Sequence, residues 1–259
     1  MKYLIILALA LLAGATVAEA KVVGQAVEYE HDGTVCEGYF AYDDDFEGAR
    51  PGVLVVHQWM GLGEFEMEMC RRLAELGYAA FAADVYGKGV RPESTEEAAA
   101  QAGMYRGDRS LMRARVQAGL ETMKAQDMVD AGQTAAIGYC FGGGCVLELA
   151  RGGADVGGVV SFHGNLDTPD VSDAQNIRAS VLVLHGADDP HVPPAQVMDF
   201  ENEMRAAGVD WQLVAYGNAV HAFTDYRLGS DNSTGAAYNE AAARRSWQAM
   251  LDFFAEILE

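Results

Sequence analysis

Thr134-Ala135-Ala136-Ile137-Gly138-Tyr139-Cys140-Phe141-Gly142-Gly143-Gly144 passes from an apolar run into a string of glycines. The run predicts a buried strand over Thr134 to Tyr139, and the residues beyond it predict a helix over Gly143 to Arg151. Gly138 and Gly142 stand two before and two after Cys140, so the chain can turn tightly from strand into helix and push the Cys140 side chain outwards. A thiol at such a helix start meets the positive end of the helix dipole, which favours the reactive thiolate. The plainer alternative is that Cys140 is a small buried hydrophobe on a glycine-rich turn.

The strand-then-helix pattern extends in both directions. Upstream, Val22 to Tyr29 and Thr34 to Tyr42 predict two strands joined at Asp32-Gly33, a hairpin dipeptide. Val53 to His57 is a continuous apolar run of the kind buried on both faces of a sheet. Glu64 to Leu76 carries Phe65, Met69, Leu73 and Leu76 at helical spacing and stops at Gly77. Ala79 to Ala83 follows as a strand, Gly87 to Gly107 as an irregular segment, and Arg109 to Gln126 as a helix. Downstream, strands are predicted at Gly158 to Phe162, Ser180 to His185 and Trp211 to Tyr216, with helices at Pro194 to Ala207 and Gly235 to Leu258. Alternating strands and helices need crossover connections, so the expected class is α/β. It has a mostly parallel central sheet, helices on both faces and an N-terminal antiparallel hairpin. Chemistry in such folds sits beyond the carboxyl ends of the strands.

The 259 residues are 50% hydrophobic and 22% charged, the balance of a packed globular chain. A net charge of −20 repels phosphate backbones and anionic lipid headgroups, so neither nucleic acid nor an acidic membrane surface is an expected partner. Residues 1–20 read as a secretory signal: Lys2, an apolar stretch from Tyr3 to Ala13, then Ala18-Glu19-Ala20 as the cleavage pattern. Residues 21–259 are then one domain, exported to a periplasm or secreted, and not membrane-bound once the signal is removed. Cys36, Cys70, Cys140 and Cys145 contain no C-x-x-C pair, and no His-Glu-x-x-His helix is present, so no metal or cofactor is expected. A Cys36 to Cys70 bridge is permitted by the compartment but not implied by spacing. The oligomeric state is not legible.

Two further strand ends complete a pattern. Asp189 lies in His185-Gly186-Ala187-Asp188-Asp189-Pro190-His191-Val192-Pro193, after the strand ending at His185. His221 lies in Asn218-Ala219-Val220-His221-Ala222-Phe223, after the last strand. A carboxylate so placed can orient an imidazole, and the chain order nucleophile, acid, histidine is that of α/β-hydrolases. Together with Gly-Tyr-Cys-Phe-Gly-Gly around Cys140 and His57-Gln58-Trp59-Met60-Gly61 after an early strand, these segments resemble the dienelactone hydrolase (carboxymethylenebutenolidase) family over most of residues 21–259.

That resemblance implies an α/β-hydrolase fold and acyl transfer to sulfur. Cys140 would attack an ester or lactone carbonyl, with His221, oriented by Asp189, moving the proton and water resolving a thioester. It also implies an oxyanion hole from the backbone N–H groups of Trp59 and Phe141. Two positions depart from the family. Gln58 stands where a Glu often approaches the nucleophile, and Asp225 stands where an arginine holds an anionic substrate, four residues after the histidine. The first predicts a thiolate and imidazolium pair of Cys140 with His221. The second predicts that an anionic substrate is repelled and a small neutral ester or lactone preferred. Arg106 or Arg109 could replace the missing cation, although each is more simply a solvated helix residue. Met60, Tyr86, Tyr105, Arg106 and Phe223 are candidate pocket residues. The alternatives are a thioesterase or peptidase-like acyl hydrolase, or a non-catalytic binding protein on the same fold.

Overall fold

The computed structural model describes residues 21–258; the expected signal segment, residues 1–20, lies outside them. Strands β1 (Val22–His31) and β2 (Thr34–Asp43) pair antiparallel around Asp32 and Gly33. The φ angles of these two residues, 48° and 72°, form a left-handed two-residue turn that matches hairpin twist. β2 lies antiparallel to β4 (Ala79–Ala83). From there β3 (Arg50–Val56), β5 (Val129–Tyr139), β6 (Gly158–Phe162), β7 (Ser180–Gly186) and β8 (Trp211–Tyr216) run parallel, in the order β1-β2-β4-β3-β5-β6-β7-β8.

Because side chains alternate along a strand, β3 sends Leu54 and Val56 to one face and Val53 and Val55 to the other. The first face packs under α2 (Thr95–Gly107), α3 (Arg109–Lys124), α4 (Phe141–Arg151) and α5 (Pro194–Ala207). The second is covered by α1 (Glu64–Glu75) and α6 (Glu240–Ile257). Both faces are apolar and covered, which explains the continuous hydrophobic runs of the parallel strands.

Several bounds differ from the expectation. α2 occupies most of the segment read as irregular. Its buried stripe, Ala98, Ala102 and Tyr105, has helical spacing, but two of the three are alanines like their exposed neighbours, and Met104 points outwards. The Ser94 side chain caps it by accepting from Glu97 N at 3.2 Å. α6 starts at Glu240, not Gly235, where the Asn239 side chain accepts from Ala242 N at 3.0 Å. A short 3₁₀ turn at Val171–Asn176 was not expected. All four cysteines are free and buried, so Cys36 and Cys70 are not joined. Among the described residues no helix is long and apolar enough to cross a membrane.

Candidate active site

Four parallel strands end at one edge, and each releases a loop into the same cavity: β3 the Gln58 loop, β5 the Cys140 turn, β7 the Asp189 loop and β8 the His221 loop. Cys140 sits between β5 and α4 with φ 55° and ψ −112°, a conformation costly for any side chain and held by the packing around it. The flanking glycines make the turn possible. A Cβ on Gly138 would lie 2.0 Å from the Gly142 carbonyl oxygen, and one on Gly142 would lie 2.2 Å from that of Val56. The Cys140 N–H is shared between Phe162 O at 3.0 Å and His163 Nδ1 at 3.2 Å.

Asp189 Oδ2 lies 2.8 Å from His221 Nδ1, while Asp189 Oδ1 accepts from His191 N at 2.8 Å. Asp188, its exposed neighbour, does not enter the site. The His221 loop is pinned by a bridge to Ala236, through His221 N to Gly235 O at 3.2 Å and Ala237 N to His221 O at 3.1 Å. Cys140 and His221 line the same cavity, so the thiol and the imidazole bear on each other's charge. Burial alone would push the Cys140 thiol up, but the His221 hydrogen bond and charge, the Arg106 charge and the Phe141 N–H outweigh it, and the thiol falls below its ordinary value. Burial likewise opposes a charged His221, yet its bonds to Asp189 and Cys140 raise it to about 10. Both directions favour a thiolate beside an imidazolium.

The cavity is about 900 Å³ and is lined by Cys140, His221, Gln58, Trp59, Met60 and Arg106 among others. Arg106 is exposed and lines the cavity; it donates to Asn165 Oδ1 at 2.9 Å and forms no ion pair among the described residues, so a solvated positive charge borders the cavity. Arg109 pairs instead with Asp167 at 2.8 Å, away from this cavity. Three pocket candidates are core residues. Tyr105 and Phe223 are 1% and 0% exposed and do not line the cavity. Tyr86 also stays behind the wall, where its hydroxyl donates to Trp59 O at 3.0 Å. Aromatic bulk near motif loops misled here because rings stack on one another: Tyr86, Tyr105, His57 and Phe141 form one cluster.

Asp225 does not stand as the isolated repulsive charge expected of it. Arg227 grips it bidentately, Nε to Oδ1 at 2.8 Å and Nη2 to Oδ2 at 2.6 Å, and Gln58 Nε2 donates to Oδ2 at 3.0 Å. Burial would raise this carboxyl, but these partners hold it below the usual range. Gln58 is thus turned towards Asp225. His163 and Glu66 enter the site without any sequence signal. His163 Nε2 lies 2.7 Å from Thr224 Oγ1, and burial and the neighbouring His221 charge keep its ring neutral. His57 is a satisfied core histidine, its Nδ1 donating to Gln58 O at 2.6 Å and its Nε2 accepting from Val85 N at 3.1 Å.

A tight strand-to-helix turn bearing Cys140 on a mostly parallel sheet, followed in chain order by a carboxylate and a histidine, is the arrangement of an α/β-hydrolase fold. The dienelactone hydrolase family matches residues 36–258, and the chain belongs to that family, hydrolases acting on ester or lactone bonds. A Salmonella typhimurium protein named provisionally as a carboxymethylenebutenolidase is 30% identical over 231 residues, covering 84% of this chain and 82% of the relative. The crystal structure of P91, a dienelactone hydrolase-like promiscuous phosphotriesterase from metagenomic libraries, has a TM-score of 0.88 and 43% identity. That match covers 92% of this chain and 99% of P91. A Klebsiella pneumoniae structure, provisionally a dienelactone hydrolase, superposes with a TM-score of 0.77 at 26% identity, covering 91% and 99% of the two chains.

Proposed function

We propose that this hydrolase is exported and cleaves small esters or lactones through a Cys140, His221 and Asp189 triad and a thioester intermediate. The observation that carries the reading is the 2.8 Å contact of Asp189 with His221 Nδ1, with Cys140 lining the same cavity as that imidazole. The thiolate adds to the substrate carbonyl carbon, and the Phe141 and Trp59 N–H groups stabilise the charge that develops on oxygen. Collapse of that adduct breaks the bond to the leaving alkoxide, which takes its proton from His221. The now neutral imidazole then removes a proton from water, hydroxide adds to the thioester, and the thiolate leaves. Asp189 holds the ring with Nε2 towards sulfur throughout. Export rests on the pattern of residues 1–20.

Pairing of Asp225 with Arg227 removes the reason to exclude substrates bearing a negative charge, and Arg106 supplies a solvated cation at the border of the cavity. A second reading, turnover of neutral phosphate triesters, draws on the relative P91 and the same nucleophile. The test is a p-nitrophenyl ester and lactone panel read by intact mass. Wild type is expected to accumulate an acyl adduct on Cys140, and Cys140→Ala to lose turnover by on the order of 10⁴-fold or more. Unchanged turnover in Cys140→Ala rejects the mechanism.

A further inference from the structure

We infer that Glu66 is a positioning residue that fixes the oxyanion loop, an inference that rests on the triad mechanism proposed above. Glu66 stands at the third position of α1, 2% exposed, and its two carboxylate oxygens each take one backbone N–H. Oε1 accepts from Gln58 N at 3.1 Å and Oε2 from Gly63 N at 3.0 Å. These two amides bracket the turn 59–62, so one rigid carboxylate holds both ends of the loop that carries the Trp59 N–H.

Further contacts hold the rest of the loop. Gly61 N donates to Gln58 O at 3.1 Å, and Gly61 adopts φ 84°, which only glycine takes without strain. The Trp59 carbonyl is held from behind by the Tyr86 hydroxyl at 3.0 Å. The Gly61 bond closes the turn 58–61 and the Tyr86 bond holds one carbonyl, whereas Glu66 ties both Gln58 and Gly63 to the start of α1. The Gln58 side chain, bonded to Asp225, makes no claim on the same carboxylate. A donor aimed at a developing oxyanion works only if it does not have to reorganise as charge appears, and displacement of about 1 Å can cost about 100-fold.

Glu66→Gln keeps the size but replaces one acceptor by an NH₂ that faces a backbone N–H. We expect kcat for p-nitrophenyl acetate to fall by roughly ten- to a hundred-fold with KM changed by less than about three-fold. Alkylation of Cys140 by iodoacetamide involves no oxyanion, so its rate is expected to stay within about two-fold of wild type. Glu66→Met, which fills the space with no acceptor at all, should give the same split, and it decides the matter if the Gln variant does not fold. Loss of esterase activity and alkylation in parallel, or loss of neither, overturns the assignment. Failure of the triad reading shows differently, as esterase turnover surviving in Cys140→Ala.

Discussion

Cys140 and Cys145 lie five residues apart at the start of α4, both buried, yet their thiols are driven in opposite directions. Cys140 is lowered despite burial, while burial drives Cys145 far up, with the Arg106 and Arg109 charges too weak to offset it. The helix N-terminus contributes, since the Phe141 N–H favours the Cys140 thiolate and this influence fades by Cys145, more than a turn further on, but it ranks below the His221 partner as a cause. Backbone and partner differ as well. Positive φ lifts the Cys140 side chain out of the turn and into reach of His221, whereas Cys145 continues the helix into the apolar face beneath. The partner, above all, separates the two thiols: His221 offsets burial at Cys140, and no imidazole does so at Cys145.

The contrast breaks most sharply if the imidazole loses its anchor. Asp189→Asn keeps the shape but substitutes a neutral amide for the carboxylate that raises His221, so the imidazolium and with it the thiolate are disfavoured. Ester turnover should drop by roughly 10²- to 10⁴-fold, measured as kcat/KM. A drop below five-fold would mean that the Cys140 shift does not depend on Asp189.

A smaller effect is expected in the pH dependence of alkylation. With its thiol lowered, Cys140 is in the reactive form already below the free-cysteine value of ~8.5, and reactivity is lost only as pH falls through that lowered value. Cys36, Cys70 and Cys145 are all raised by burial and should remain unlabelled in the folded protein at neutral pH. Peptide mapping after brief iodoacetamide exposure at pH 7 should therefore find one modified site. Onset at or above ~8.5, or labelling of Cys145 alongside Cys140, would contradict this account.

Much of the site was legible because an α/β sheet converts chain order into spatial order. Cys140, Asp189 and His221 each stand just past a strand that the sequence pattern marks, and the parallel register of β5, β6, β7 and β8 brings those ends to one edge. What failed to show was whatever depends on a partner distant in sequence. Asp225 read alone is a repulsive charge; beside Arg227 it is a neutralised pair. Glu66 is one of three alternating acids, Glu64, Glu66 and Glu68, and His163 a single polar residue after an apolar strand, with nothing local to mark either. Helix α2 hid for a different reason, since two of the three residues on its buried face are alanines. Only the Ser94 cap, with Glu97 three residues on, carried a usable signal.

The least expected effect sharpens the comparison from its other side. If Cys145 is only a packing residue, Cys145→Ala removes one buried sulfur from the first core face and nothing else. Deleting a group of that size from a closed interior costs about 1 kcal/mol, so the unfolding midpoint in urea should shift down slightly with the slope unchanged. Turnover should stay within about two-fold of wild type, because no atom that contacts substrate has moved. If turnover instead fell with stability intact, Cys145 would be supporting the Cys140 turn through the helix they share, and the two thiols could no longer be treated as one reactive and one inert.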